Sequence, residues 1–159
     1  MLAFGATRDH FTLDARQRLT KPLEEVFPFF ADARNLEALT PPFLSFTVLS
    51  EGPIEMREGA LIDYRIKLRG IPLGWRTRID LWEPPLRFVD TQLRGPYRLW
   101  RHEHRFERLG SDTLVIDHVA YRVLGGRPVE ALLVRPDLRR IFAYRREQLA
   151  ARFGEVPLR

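Results

Sequence analysis

The chain predicts an α+β fold: a strongly curved antiparallel sheet of about seven strands, two short helices after the first strand, and a long C-terminal helix across the sheet. Three observations carry this expectation. Period-two alternation recurs in short runs separated by Gly and Pro turns from Ser45 to Val123. Two small helical stretches, each punctuated by prolines, follow one alternating segment near the start. Apolar residues then recur at spacings near three and four from Leu132 to Phe153. At 159 residues, with no repeat or internal linker, residues 1–159 read as a single domain.

In order, Phe11, Leu13, Ala15, Gln17 and Leu19 alternate with polar neighbours and give the first strand. Thr20 is the expected N-cap, with Pro22 in the first turn, of a helix through Phe30 that Pro28 should kink or shorten. Asp32 is placed to cap a second helix, Ala33 to Leu39, which Thr40-Pro41-Pro42 stops. Phe46 and Val48 begin a strand ended by Glu51-Gly52-Pro53. Ile62, Tyr64, Ile66 and Leu68 share the inner face of the next, and Gly70 and Pro72 turn the chain. Trp75, Thr77, Ile79 and Leu81 then face inward, until Pro84-Pro85 breaks the run. Phe88, Asp90 and Gln92 share a face before the Gly95-Pro96 turn, and Val115, Asp117, Val119, Tyr121 and Val123 form the last strand. Gly125-Gly126-Arg127-Pro128 leads into a helix over about 129–153, with an early kink expected at Pro136. Its apolar face is read as Leu132, Leu133, Leu138, Ile141, Phe142, Leu149 and Phe153.

Composition narrows the function classes. No cysteine is present, which excludes disulfides and thiolate chemistry and suits a reducing, cytoplasmic compartment. The first residues lack a basic stretch followed by an apolar run, so no signal peptide is read, and no apolar run approaches a membrane span. Net charge is +5 and the pI about 10.2. All of the 26 basic residues except Lys21 and Lys67 are arginine, scattered along nearly every segment without an uninterrupted basic run, so solvated sheet faces outweigh nucleic-acid binding. Ser-His-Asp order with a nucleophile elbow, a phosphate-cradling glycine loop and a dinucleotide fingerprint are all missing.

The chemistry concentrates in the strand from Tyr97 to Phe106. Alternation puts Trp100, His102, His104 and Phe106 on one face and Arg101, Glu103, Arg105 and Glu107 on the other. A three-residue loop at Gly95-Pro96-Tyr97 sets Asp90 opposite His102, and a four-residue loop from Leu109 to Asp112 sets His104 opposite Asp117. Opposed side chains have Cβ atoms about 4.5–5.5 Å apart, so two carboxylate–imidazole pairs are expected. A slip of one residue would send a partner outside. An inner face mixing Tyr64, Thr77, Asp90, Gln92, His102 and His104 with apolar residues suits a cavity better than a dry core.

Roles for the quartet stay open between structural or ligand-orienting pairs, acid–base catalysis by His102 or His104 oriented by Asp90 or Asp117, and a metal site. Metal is the least favoured, because His-x-His offers two ligands and the flanking carboxylates would have to leave their imidazoles. No metal or cofactor is therefore assigned. His118 should point outward and His10 lies near the start, so both read as surface groups.

Several motifs together resemble the START-like, polyketide cyclase/dehydrase-like helix-grip superfamily, also called SRPBCC. They are Pro22-Leu23-Glu24-Glu25-Val26-Phe27, Asn35-Leu36 followed by Thr40-Pro41-Pro42, and Trp75. Gly95-Pro96-Tyr97, Trp100 to Phe106, Asp117-His118-Val119-Ala120-Tyr121 and Ile141-Phe142-Ala143-Tyr144-Arg145 complete the set. The strand is similar to that of a bacterial SRPBCC group carrying H-x-H-x-F. The resemblance implies a helix-grip domain that encloses a hydrophobic or amphipathic small molecule of lipid, polyketide or isoprenoid type. Candidate ligand contacts from the sheet are Tyr64, Trp75, Thr77, Gln92, Trp100, Phe106 and Tyr121. From the helix they are Ile141, Phe142 and Arg145, with a sheet-paired arginine the competing role for the last. Two alternatives stand beside binding: an aromatase/cyclase- or dehydratase-like enzyme using an inward histidine, and a basic protein that docks through its outer arginines.

Overall fold

The computed structural model describes residues 1–158. Among them, nine strands form one antiparallel sheet: β1 Leu2–Ala6, β2 Phe11–Leu19, β3 Thr47–Val48, β4 Leu61–Leu68, β5 Ile71–Glu83, β6 Arg87–Arg94, β7 Leu99–Leu109, β8 Asp112–Arg122 and β9 Glu155–Val156. Their spatial order is β1-β2-β8-β7-β6-β5-β4-β3, with β9 pairing β2 beyond the end of β1. The expected count of about seven misses β1 and β9. Gly5 and the alanines of β1 have little strand propensity, and β9 is two residues that pair only with Arg18 and Leu19.

Helix α1, Leu23–Phe30, starts from Pro22 rather than Thr20. The Thr20 hydroxyl instead donates to the Phe153 carbonyl at 2.9 Å, closing the far end of the C-terminal helix. Pro28 lies inside α1 but only two residues from its end, where a missing N–H interrupts little. Asp32 does cap the next element by accepting from Arg34 N at 3.0 Å. That element is a 3-10 turn, Ala33–Leu36, with another at Pro42–Leu44, in place of a helix to Leu39.

The C-terminal helix runs without a break over residues 126–153, as an α-turn Gly126–Val129, a π-turn Glu130–Val134 and a long α segment Arg135–Phe153. Pro136 cannot donate to the carbonyl four residues before it, and the wider π-turn just upstream absorbs the missing bond. That extra residue rotates the helix phase. Leu132 and Leu133, expected on the apolar face, are 75 % and 43 % exposed, while Leu138, Phe142, Leu149 and Phe153 are buried. The helix stops at Gly154, whose φ of 73° suits glycine and whose Cβ, if present, would clash with Thr20 Oγ1. A second correction concerns β5. A register shift between Ile79 and Leu81 takes Leu81 off the inner face and sets Trp82 against Phe27 and Phe88, with ring centroids 5.7 and 5.5 Å apart.

The sheet curls around the C-terminal helix, which is the helix-grip arrangement. One core forms where α1 and the end of the helix meet Leu19, Phe106 and Val115. Another forms where Leu138 and Phe142 meet Leu13, Val119 and Tyr121. A third lies across the sheet at Ile62, Tyr64 and Ile79. The helix packs along β2 and β9, and Gln17 of β2 donates to the Arg146 carbonyl at 2.9 Å. Space therefore opens on the other side, over β4 to β7. Among the described residues no helix is long and apolar enough to cross a membrane.

Leu138 is 1 % exposed, so Leu138→Ala should cost about 2–5 kcal/mol, whereas Leu132→Ala should stay within about 0.5 kcal/mol. Urea titrations of both variants check this reading of the helix face, and equal losses would contradict it.

Candidate functional site

A cavity of about 370 Å³ occupies the space between the helix and strands β4–β7. Its walls are mostly apolar, with Leu39, Leu44 and Phe46 closing it from the segment after α1. Exposed Arg69, Leu124 and Leu133 among the lining residues mark where it meets solvent, and Arg69 bonds Asp137 there at 3.1 Å. One polar pole lies deep inside, made by Asp90, His102, His104 and Arg145.

Strand register sets that pole. Asp90 is opposite His102 and His104 is opposite Asp117. The side chains nevertheless bond across the diagonals: His102 Nε2 to Asp117 Oδ1 at 2.9 Å and His104 Nε2 to Asp90 Oδ2 at 2.9 Å. Diagonal neighbours are within reach of long side chains, and the two rings pack on one another with centroids 3.7 Å apart. The directly opposed contacts complete the square. His104 Nδ1 lies 3.0 Å from Asp117 Oδ1, and His102 Nδ1 lies 3.9 Å from Asp90 Oδ2. Phe88 stacks on the outer side of His104 at 4.2 Å.

Arg145 joins the cluster from the helix. Its spacing from Phe142 and Leu149 puts it on the buried face, and it is 7 % exposed. Nη2 donates to Asp117 Oδ1 at 3.0 Å and lies 3.4 Å from His104 Nδ1, while the guanidinium sits 5.2 Å from the Phe30 ring centre. Its Nε is buried without a partner among the described residues. A donor left so in a cavity wall is suited to an oxygen of a bound molecule.

Electrostatics separate the two imidazoles. Burial pushes the His102 pKa down, with the neighbouring His104 adding to the effect, and the bond to Asp117 only partly offsets it. Burial also opposes charge on His104, but hydrogen bonds to Asp117 and Asp90 outweigh it and raise its pKa. Burial likewise disfavours the Asp117 carboxylate, yet Arg145 and then the bonds from His102 and His104 hold its pKa well below the usual range. The raised His104 pKa makes a stabilising contribution that is full below about 6.5 and lost as pH rises through the folded value. The depressed Asp117 and His102 values act in the opposite sense: each contribution is present above the unfolded pKa and is lost as pH falls through the folded one.

The other sequence candidates divide. Tyr64, Trp75, Thr77, Trp100, Ile141 and Phe142 line the cavity. Thr77 is engaged by the Tyr64 hydroxyl at 2.5 Å and by the Trp75 indole N–H at 3.1 Å, and burial raises the Tyr64 pKa. Gln92, Phe106 and Tyr121 are not in its wall. Gln92 clamps the β6–β7 loop, donating to the Tyr97 carbonyl at 2.7 Å and accepting from Tyr97 N at 3.2 Å. Phe106 packs under α1 against Phe27 and Phe30. Tyr121 donates to Glu130 Oε1 at 2.8 Å in the helix core, and Asp117 sits behind the histidines. Residues not foreseen as cavity walls include Phe30, Ile79 and Leu138, read as plain core, and Tyr97, whose loop position hid it. His118 pairs with Asp14 at 2.7 Å on the outer surface, and outer arginines such as Arg76, Arg78 and Arg87 have carboxylate partners.

Comparison with known proteins agrees with this fold. The family model described as polyketide cyclase/dehydrase and lipid transport matches residues 19–150. No curated protein matches. Among solved structures, protein CV1439 from Chromobacterium violaceum is 18 % identical with a TM-score of 0.70, covering 90 % of this chain and 97 % of that one. The Zhui aromatase/cyclase from Streptomyces sp. R1128 is 18 % identical with a TM-score of 0.68, covering 89 % and 92 %. Major latex-like protein 151 from Panax ginseng is 12 % identical with a TM-score of 0.65, covering 89 % and 96 %. At these identities the likenesses show the fold.

Two outcomes follow. In ¹⁵N spectra of EDTA-dialysed protein, His104 should titrate above about 6.5 and His102 below it; coincident titrations would contradict the assignment. Asp117→Asn leaves Arg145 and His104 short of their counter-charge and should cost about 3–5 kcal/mol by denaturant unfolding.

Proposed function

Since the chain belongs to the polyketide cyclase/dehydrase and lipid transport family, we propose that it binds a hydrophobic or amphipathic small molecule in the cavity between the helix and β4–β7. The observation that carries this reading is the cavity itself: about 370 Å³, apolar along its length and polar at one inner end. That volume is within the range of ligand pockets, and such walls with a few convergent polar groups fix an apolar body and orient its polar end. Burying the ligand's body supplies the affinity, at about 25 cal/mol for each Å² removed from water. Arg145 Nε, without a partner among the described residues, offers a donor for a carbonyl, enol or carboxylate oxygen.

Acid–base chemistry on the bound molecule is a second reading, favoured by one observation: both imidazoles line the cavity, each bonded to a carboxylate, Asp117 behind them and Asp90 beside them in the wall. His104, its pKa raised, is the better proton donor, and His102, its pKa lowered, the better acceptor. An aldol-type ring closure or a dehydration would use such a pair, one group removing a proton while the other delivers one to oxygen. Whether turnover accompanies binding is decided by substrate trials on the wild type and on His104→Ala. Full retention of a detected turnover by the variant removes His104 from the chemistry.

Binding itself is checked by titrating an environment-sensitive fluorescent fatty acid. Ile66→Trp fills the cavity from β4 and should weaken binding at least tenfold while the protein remains folded. An unchanged affinity would put the fluorophore elsewhere and sink the proposed location.

A further inference from the structure

We infer that Asp90, His102 and His104 form a site for one first-row divalent transition-metal ion, with its open coordination positions facing the cavity. Two imidazoles and one carboxylate on one side of an ion make a donor set suited to zinc or iron(II). In this chain the donors are Asp90 Oδ2, His102 Nδ1 and His104 Nε2, and one ligand atom from each of the three residues lies within 4.8 Å of the others. Asp90 Oδ2 is 2.9 Å from His104 Nε2 and 3.9 Å from His102 Nδ1. An ion with bonds of about 2.0–2.2 Å spaces its donors about 3.0–3.5 Å apart, so small side-chain rotations complete the site.

The remaining ring nitrogens supply the second argument. His102 Nε2 and His104 Nδ1 both face one atom, Asp117 Oδ1, at 2.9 and 3.0 Å. With N–H groups given to that oxygen, both rings turn the opposite nitrogen toward Asp90, where it can ligate an ion once any proton on it has left. A carboxylate behind a ligating histidine fixes its tautomer and orientation in this way. Asp117 serves both rings and is itself held by Arg145 at 3.0 Å.

Position and charge agree with the same assignment. Asp90, His102 and His104 line the cavity and Asp117 does not, so the proposed ligands are separated from the group that orients them. Asp117 and Arg145 offset one another, leaving the Asp90 carboxylate to offset part of the ion's charge. The sequence objection, that both carboxylates would have to abandon their imidazoles, applies only to Asp90. There the ion replaces the hydrogen between His104 Nε2 and Asp90 Oδ2, and the displaced proton leaves to solvent. The site rests on these distances and not on an organic ligand being present.

Cobalt(II) is the direct probe. Wild-type protein stripped with EDTA and titrated with Co²⁺ should bind one equivalent per chain, develop visible d–d absorption, and release the cobalt to Zn²⁺. Asp90→Ala and His104→Ala should abolish the absorption. Asp117→Asn should keep the stoichiometry and weaken binding about 10–100-fold, and His118→Ala should bind as the wild type does. Circular dichroism establishes that each variant is folded. The wild-type titration alone can overturn the inference, because no uptake at millimolar Co²⁺ and Zn²⁺ leaves no site. Unchanged binding by Asp90→Ala would overturn it equally, by placing the ion elsewhere.

Discussion

The Asp117 carboxylate is the point on which the arrangement turns. It is buried on β8 and receives contacts from His102 and His104 of β7 and from Arg145 of the C-terminal helix. A lone carboxylate there would be costly to desolvate. Surrounded by three donors it becomes an anchor with only one geometry, in which the helix is pinned to the sheet at Arg145. Removing any one partner strands charge in the interior, so the cluster specifies how helix and sheet meet more than it adds net stability.

From that anchor the cavity follows. The helix is drawn to the β2 and β8 side, where Leu138 and Phe142 pack on Val119 and Tyr121. The sheet continues past it through β7, β6, β5 and β4, curving away before the segment after α1 closes the space. A volume bounded by apolar strands on one side and the cluster at its inner end is thus a consequence of where the helix is tied. The same strand that ties it presents His102 and His104 to the interior, so structural anchoring and the polar end of the cavity share one set of side chains. In the family's fold, a change in the cluster should alter both together.

Much of this was legible in the sequence because a strand's period is short and strict. Alternation alone placed His102 and His104 inward, and turn lengths at Gly95-Pro96-Tyr97 and Gly110-Ser111 set the register with Asp90 and Asp117. Which carboxylate bonds which imidazole was not legible, since it depends on ring packing and strand twist rather than register. Gln92 leaves the cavity wall for a related reason: its inward parity is right, but the backbone N–H and carbonyl of Tyr97 in the adjoining loop claim its amide. Tyr121 and Phe106 also have the right parity, yet lie under the helix and under α1, where the cavity does not reach. Along the helix, the π-turn before Pro136 broke the phase, so Leu132 and Leu133 left the face that spacing assigned them. Strands β1 and β9 were hidden because small residues in one and brevity in the other leave no pattern.

The central claim is that the space over β4–β7 holds a small molecule oriented by the cluster. Denaturing extraction of freshly purified protein, followed by mass spectrometry of what is released, tests it most directly. The account predicts an apolar compound with one oxygen-bearing end, present in the wild type and depleted when the cavity is filled from β4. A compound recovered equally from the wild type and the filled variant would contradict it.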